Sequence, residues 1–203
     1  MKLIIYTSSD FFVEEDKILT TLFDEGLDIL HLRKPESEPV FCERLLSLIP
    51  KQYMDRIVVH DHFYLKEEFS LMGIHLSRRH PEPPSNYIGQ VTRTCYSLQE
   101  LEEHKDECPY VCLRSVFDCI SEPDHLASYT ESELEAARKS GLIDKKVIAE
   151  GGVTLDNIDR LCELGFGGVA VCGDLWGRFD IHSHQDFKEL IHHFRLLRKK
   201  TSE

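Results

Sequence analysis

The chain has 203 residues, 41% of them hydrophobic and 30% charged, and a formal net charge of −12. That length supports one hydrophobic core and is slightly short for a closed eight-stranded barrel. The acidic balance repels a phosphate polymer, which excludes general nucleic-acid binding, and no run of about 18 apolar residues is present to span a membrane.

The first apolar run, residues 3–6, leads straight into Thr7-Ser8-Ser9-Asp10 and reads as a strand, being too short for a signal-peptide core. Ile18, Leu19, Leu22 and Phe23 then make one helical stripe, which Gly26 stops. A second strand over 29–32 precedes the stripe Leu45, Leu46 and Ile49, which closes at Pro50-Lys51-Gln52. Strands at 57–60 and 73–76 follow. After the fourth, Pro81, Pro83 and Pro84 rule out a regular helix, so that stretch is expected to be a loop. Further strands are predicted at 90–94, 110–113, 146–149 and 168–172. Thr154 is the expected N-cap of a helix over 155–164 that ends at Gly165. Phe187, Leu190, Ile191, Phe194 and Leu197 form the stripe of the last helix.

The strands are short and nearly continuous in Val, Ile and Leu, as strands covered on both faces are. Strand and helix alternate about eight times without a break in composition, which predicts one α/β domain over residues 1–203. An open doubly wound sheet that binds nucleotides would carry Gly-x-Gly-x-x-Gly after its first strand, where this chain has Thr7-Ser8-Ser9-Asp10-Phe11-Phe12. The expected fold is therefore a single (β/α)8 TIM barrel. Seven cysteines, at 42, 95, 108, 112, 119, 162 and 172, include no Cys-x-x-Cys pair. Reduced thiols in the cytoplasm are expected rather than a disulfide framework or zinc ribbon.

Barrels of this kind do their chemistry where strands end at the C-terminal face. Reading those positions collects Arg33, Lys34, Arg78, Arg79, Arg93 and Arg114 on one rim of an acidic chain, a site for a small anion. Gly151-Gly152 after the seventh strand and Cys172-Gly173 after the eighth let backbone N–H groups approach a phosphate. His60-Asp61 after the third strand is a metal or acid/base candidate, with Asp61 either a Mg²⁺ ligand or the cap of a helix beginning near Phe63. His182-Ser183-His184 and His192-His193 lack the partners of a transition-metal site and are expected to be a solvated loop and helix face.

Together these segments resemble the thiamine phosphate synthase family, which includes the related thiazole tautomerases. The resemblance runs through His31-Leu32-Arg33-Lys34, Val59-His60-Asp61, Gly73-Ile74-His75-Leu76, Tyr110-Val111, Ser115-Val116-Phe117, Gly151-Gly152-Val153 with Asn157, and Gly168-Val169-Ala170-Val171. It implies a synthase that joins hydroxymethylpyrimidine pyrophosphate to thiazole phosphate, releases pyrophosphate and uses Mg²⁺. In that role Arg33 and Lys34 contact pyrophosphate, helped by Arg78 and Arg79; His60 and Asp61 stand at its Mg²⁺ end, and Thr94 lies nearby. Gly151, Gly152, Cys172 and Gly173 hold the thiazole phosphate. Arg33, Lys34, His60 and Thr94 are thus the implied catalytic set, and Asp61 the implied metal ligand. Three positions depart from the family pattern: His80 stands for a second Mg²⁺ carboxylate, Glu122 for a lysine and His60 for an asparagine. Ser115 stands where the tautomerases have their catalytic histidine. Tautomerase activity, and a non-catalytic barrel binding thiamine phosphate or thiazole phosphate, remain alternatives; a homo-oligomer is compatible with the sequence.

Overall fold

The computed structural model describes residues 1–120, 126–178 and 187–202. Eight parallel strands close into a barrel in sequence order: β1 Lys2–Tyr6, β2 Ile29–Leu32, β3 Ile57–Val59, β4 Gly73–Leu76, β5 Gln90–Cys95, β6 Val111–Leu113, β7 Val147–Glu150 and β8 Gly168–Val171. Closure comes from β8 against β1, with Lys2 opposite Gly168 and Ile5 opposite Val171. Each predicted strand is present, and its ends move by at most one residue.

Around the barrel run α1 Glu15–Asp24, α2 Pro39–Leu48, α3 Leu65–Glu68, α4 Leu98–His104, α5 Glu131–Lys139, α6 Ile158–Glu163, α7 Gly173–Trp176 and α8 Lys188–Ser202. Gly26, at φ +93, takes the left-handed conformation that ends α1. No helix follows β4. Ser77 and His80 instead exchange two backbone hydrogen bonds across a tight turn, and the proline-rich stretch after it carries no regular element. Thr154 is not a helix cap, because α6 begins only at Ile158. The intervening residues form a turn in which the Asn157 side chain accepts from the Thr154 N–H at 2.9 Å.

Strand residues alternate between two cores. Leu3, Ile5, Leu30, Leu32, Val59 and Val169 face the helix layer, where they meet Leu19, Leu22, Leu46 and Phe194. Burying each such side chain stabilises the fold by about 2 kcal/mol. The opposite residues, Ile4, Ile29, Val58, Tyr110, Cys112 and Ile148 among them, fill the barrel axis. Nearer the C-terminal end that inner column turns polar, with Tyr6, His31, His60, His75, Thr92, Thr94 and Glu150 all buried. This polar layer is the floor of the site.

Candidate active site

The glycine turns come together as expected. Gly151, Gly152, Val153, Cys172 and Gly173 line one lobe of a cleft at the C-terminal face, with Arg33, Arg114 and Ser115. Gly151 and Gly152 have φ of +92 and +64, and a Cβ on Gly152 would meet the Asp118 carbonyl oxygen at 2.2 Å. Only glycine lets the segment after β6 lie this close over the turn. Side-chain amides and carboxylates fix the turns to each other. Asn157 donates to the Gly152 carbonyl at 2.8 Å, and Asp174, in α7, accepts from the Leu155 N–H at 3.1 Å. Asp174 is also tied to His193 of α8 at 2.6 Å, so His193 is buried rather than part of the solvated helix face expected for it. Among the described residues, the N–H groups of Gly152, Val153 and Gly173 make no turn or loop hydrogen bond to backbone.

The second lobe is lined by Arg33, His60, Ser77, Arg78, Arg79, Thr94, Tyr96 and Arg114. Tyr6, Arg33, Arg114 and Glu150 belong to both lobes, so the two are one cleft with a shared seam. Arg78 lies over the Tyr96 ring at 4.0 Å from its centroid, a cation–π contact that orients the guanidinium. Arg79 donates to Asp61 Oδ1 at 2.6 Å, and His80 meets the same oxygen at 3.2 Å. Asp61 therefore caps no helix. Its other oxygen, Oδ2, is buried without a hydrogen-bond partner among the described residues.

Beneath the seam lies a hydrogen-bonded network. His31 Nδ1 meets His60 Nε2 at 2.8 Å and His31 Nε2 meets the Tyr110 hydroxyl at 2.7 Å. His75 bridges the Thr92 and Thr94 hydroxyls at 2.7 and 2.8 Å. The donor atoms of His31, His60 and His75 lie within 4.8 Å of one another, a spacing open to a metal. Yet both nitrogens of His31 and of His75 already have partners, and a metal would displace them. Burial, reinforced by the neighbouring rings and arginines, pushes His31 and His60 well below the ordinary histidine range. Burial and the Arg93 and Arg33 charges take His75 to about 3, so the ring is neutral at pH 7.

Two rim residues are corrected. Lys34 does not reach the cleft: its Nζ is fully buried, donating to Glu15 Oε1 at 2.6 Å and to the Asp10 carbonyl at 2.7 Å over the Phe11 ring. Desolvation dominates that pair, lowering Lys34 and raising Glu15 to about 7 despite their mutual attraction. Arg93 lies inside β5 between the inward Thr92 and Thr94, so the strand's two-residue period turns it to the helix side. Thr94 does line the cleft, but its hydroxyl donates to Glu150 Oε2 at 3.0 Å. Glu150 is the residue the sequence reading left without a role. It is buried and also accepts from Arg114 at 3.1 Å and the Tyr6 hydroxyl at 3.2 Å. Glu122 and His182-Ser183-His184 lie outside the described residues.

The sequence model of the family described as thiamine monophosphate synthase matches residues 3–175. The chain belongs to that family. Among solved structures, it is similar to thiamine phosphate pyrophosphorylase from Bacteroides thetaiotaomicron, with 49% identity and a TM-score of 0.91 over 100% of this chain and 98% of that one. The Pyrococcus furiosus thiamine phosphate pyrophosphorylase has a TM-score of 0.73 at 18% identity, over 99% of this chain and 95% of that one, a likeness of fold. The thiamine-phosphate synthase of Flavobacterium johnsoniae is 25% identical over 164 residues, 74% of this chain and 76% of its own. For a thiamine monophosphate synthase family member, the cleft has the expected position at the strand ends of the barrel.

Proposed function

We propose that this protein is a thiamine phosphate synthase of the cytoplasm, joining hydroxymethylpyrimidine pyrophosphate to thiazole phosphate with release of pyrophosphate. The observation that carries the reading is the two-lobed cleft, with glycine turns in one lobe and arginines in the other, meeting at a seam. Thiazole phosphate fits the first lobe, where the N–H groups of Gly151, Gly152 and Gly173 and the Cys172 turn offer donors to its phosphate. Pyrimidine pyrophosphate fits the second, with Arg33, Arg78 and Arg79 toward its charge and neutral His60 as a hydrogen-bond partner. The carbon–oxygen bond to pyrophosphate breaks with its electron pair leaving on oxygen. The thiazole nitrogen lone pair forms the new carbon–nitrogen bond, and no proton is exchanged.

The arginines stabilise the leaving group, and the cleft holds both rings in line. The orphaned Oδ2 of Asp61 fits a hard cation, since Mg²⁺ is commonly held by one carboxylate with phosphate oxygens and water. Bound there, Mg²⁺ would offset charge on the leaving pyrophosphate. Free thiols at all seven cysteines fit a reducing compartment. Ser115 lines the phosphate lobe where a tautomerase needs a histidine, which favours the synthase. Incubating the purified protein with both substrates and Mg²⁺ tests the reading: thiamine phosphate should form, and a rate no higher than the protein-free control would overturn it.

A further inference from the structure

Glu150 stands at the seam of the cleft, and among the described residues it is the one acid lining either lobe. Both lobes are built for anions, so a carboxylate there works against ground-state binding of either phosphate. Its place is nevertheless held from three sides. Arg114 Nη1 donates to Oε1, while the Tyr6 and Thr94 hydroxyls donate to Oε2. Thr94, having given its proton to Glu150, must accept from His75 Nε2–H. A neutral His75 then accepts at Nδ1 from the Thr92 hydroxyl at 2.7 Å, the shorter contact of that single proton, whose other acceptor is the Ile74 carbonyl at 3.3 Å. Thr92, His75 and Thr94 thus form one line of donors, all pointing at the carboxylate. A line of this kind fixes an acceptor in place before reaction and costs no reorganisation during it.

Resting on the synthase reading, we propose that Glu150 is a catalytic residue that stabilises the positive charge created at the seam. That charge appears first on the pyrimidine carbon as pyrophosphate leaves, and then on the thiazolium nitrogen of the product. The Thr92–His75–Thr94 line is the positioning device. The neutral ring of thiazole phosphate gains nothing from the carboxylate, whereas the thiazolium ring of thiamine phosphate does.

The test compares wild type with Glu150→Gln, which keeps the shape and removes the charge. Calorimetry should show thiamine phosphate binding weakened at least about tenfold and thiazole phosphate changed by less than about twofold, the size expected of one charged partner. In turnover, kcat should fall about 100-fold with the KM for thiazole phosphate nearly unchanged, as for loss of a group acting in the transition state. Equal weakening of both ligands would mark Glu150 as structural, and no weakening of either would remove its role; each overturns the proposal. Should the variant not fold, wild type serves: it should bind thiamine phosphate at least about tenfold tighter than the analogue with a neutral thiophene ring, and equal affinity refutes the idea. A wild type that binds with this preference but makes no thiamine phosphate would sink the synthase reading and leave the charge assignment standing.

Discussion

Acid should unfold this barrel from its centre. His75 is held at about 3 by burial and by the charges of Arg93 and Arg33, whereas an unfolded histidine titrates near 6.5. The folded chain therefore refuses a proton that the unfolded chain takes. The stability involved is fully present above pH 6.5 and is lost as pH falls through the window from 6.5 toward 3. At pH 5 the unfolded histidine is protonated by roughly thirty to one, so His75 alone removes about 2 kcal/mol relative to pH 7. His31 and His60 act in the same sense, their positions lowered chiefly by burial. Glu15 opposes them, because desolvation raises it to about 7 and the folded state gains its proton first. Its effect is comparable to one histidine, so the histidines win. Urea unfolding at pH 7, 6 and 5 measures the loss. In His75→Asn, which can still bond Thr92 and Thr94, the fall between pH 7 and 5 should shrink by about 2 kcal/mol. If wild type and variant lose stability in parallel, the neutral buried His75 is refuted.

Gly152→Ala should raise the KM for thiazole phosphate at least about tenfold: a left-handed non-glycine residue costs about 1–2 kcal/mol, and its Cβ also meets the Asp118 carbonyl. Steady-state kinetics check this, and an unchanged KM would mean the turn is not the phosphate cradle. Asp61→Asn should raise the Mg²⁺ concentration for half-maximal rate by about tenfold or more; an identical titration curve would leave the orphaned oxygen without a metal. Lys34→Met leaves Glu15 buried without its partner and should lower stability by about 3 kcal/mol. The KM for the pyrophosphate substrate should not rise, whereas a direct pyrophosphate contact would raise it sharply.

The barrel was readable because its signals are local. Apolar runs at 29–32 and 73–76 became β2 and β4 without a residue's change, and Pro81, Pro83 and Pro84 correctly removed a helix after β4. The glycine turns were readable for the same reason, since position after a strand fixes which face they reach. Side-chain direction was harder. Lys34 follows Arg33 directly, yet Arg33 lines the cleft and Lys34 turns into a buried pair with Glu15, 19 residues earlier in the chain. No short-range rule foretells that partner. Arg93 and Glu150 were within reach, because the two-residue period of a strand puts Arg93 outward from Thr92 and Thr94 and puts Glu150 inward with Ile148. The signal was present in the alternation of buried polar residues on inner positions.

Asp174 gives the C-terminal helix a stake in the shape of the cleft. Through that one carboxylate the turn after β7, the turn after β8 and His193 of α8 are joined. The last helix behaves as a buttress for the proposed anion cradle, which none of its own residues line. Under the proposed function, shortening the chain at this end would thus reach past stability and loosen the grip on phosphate from the far side of the wall.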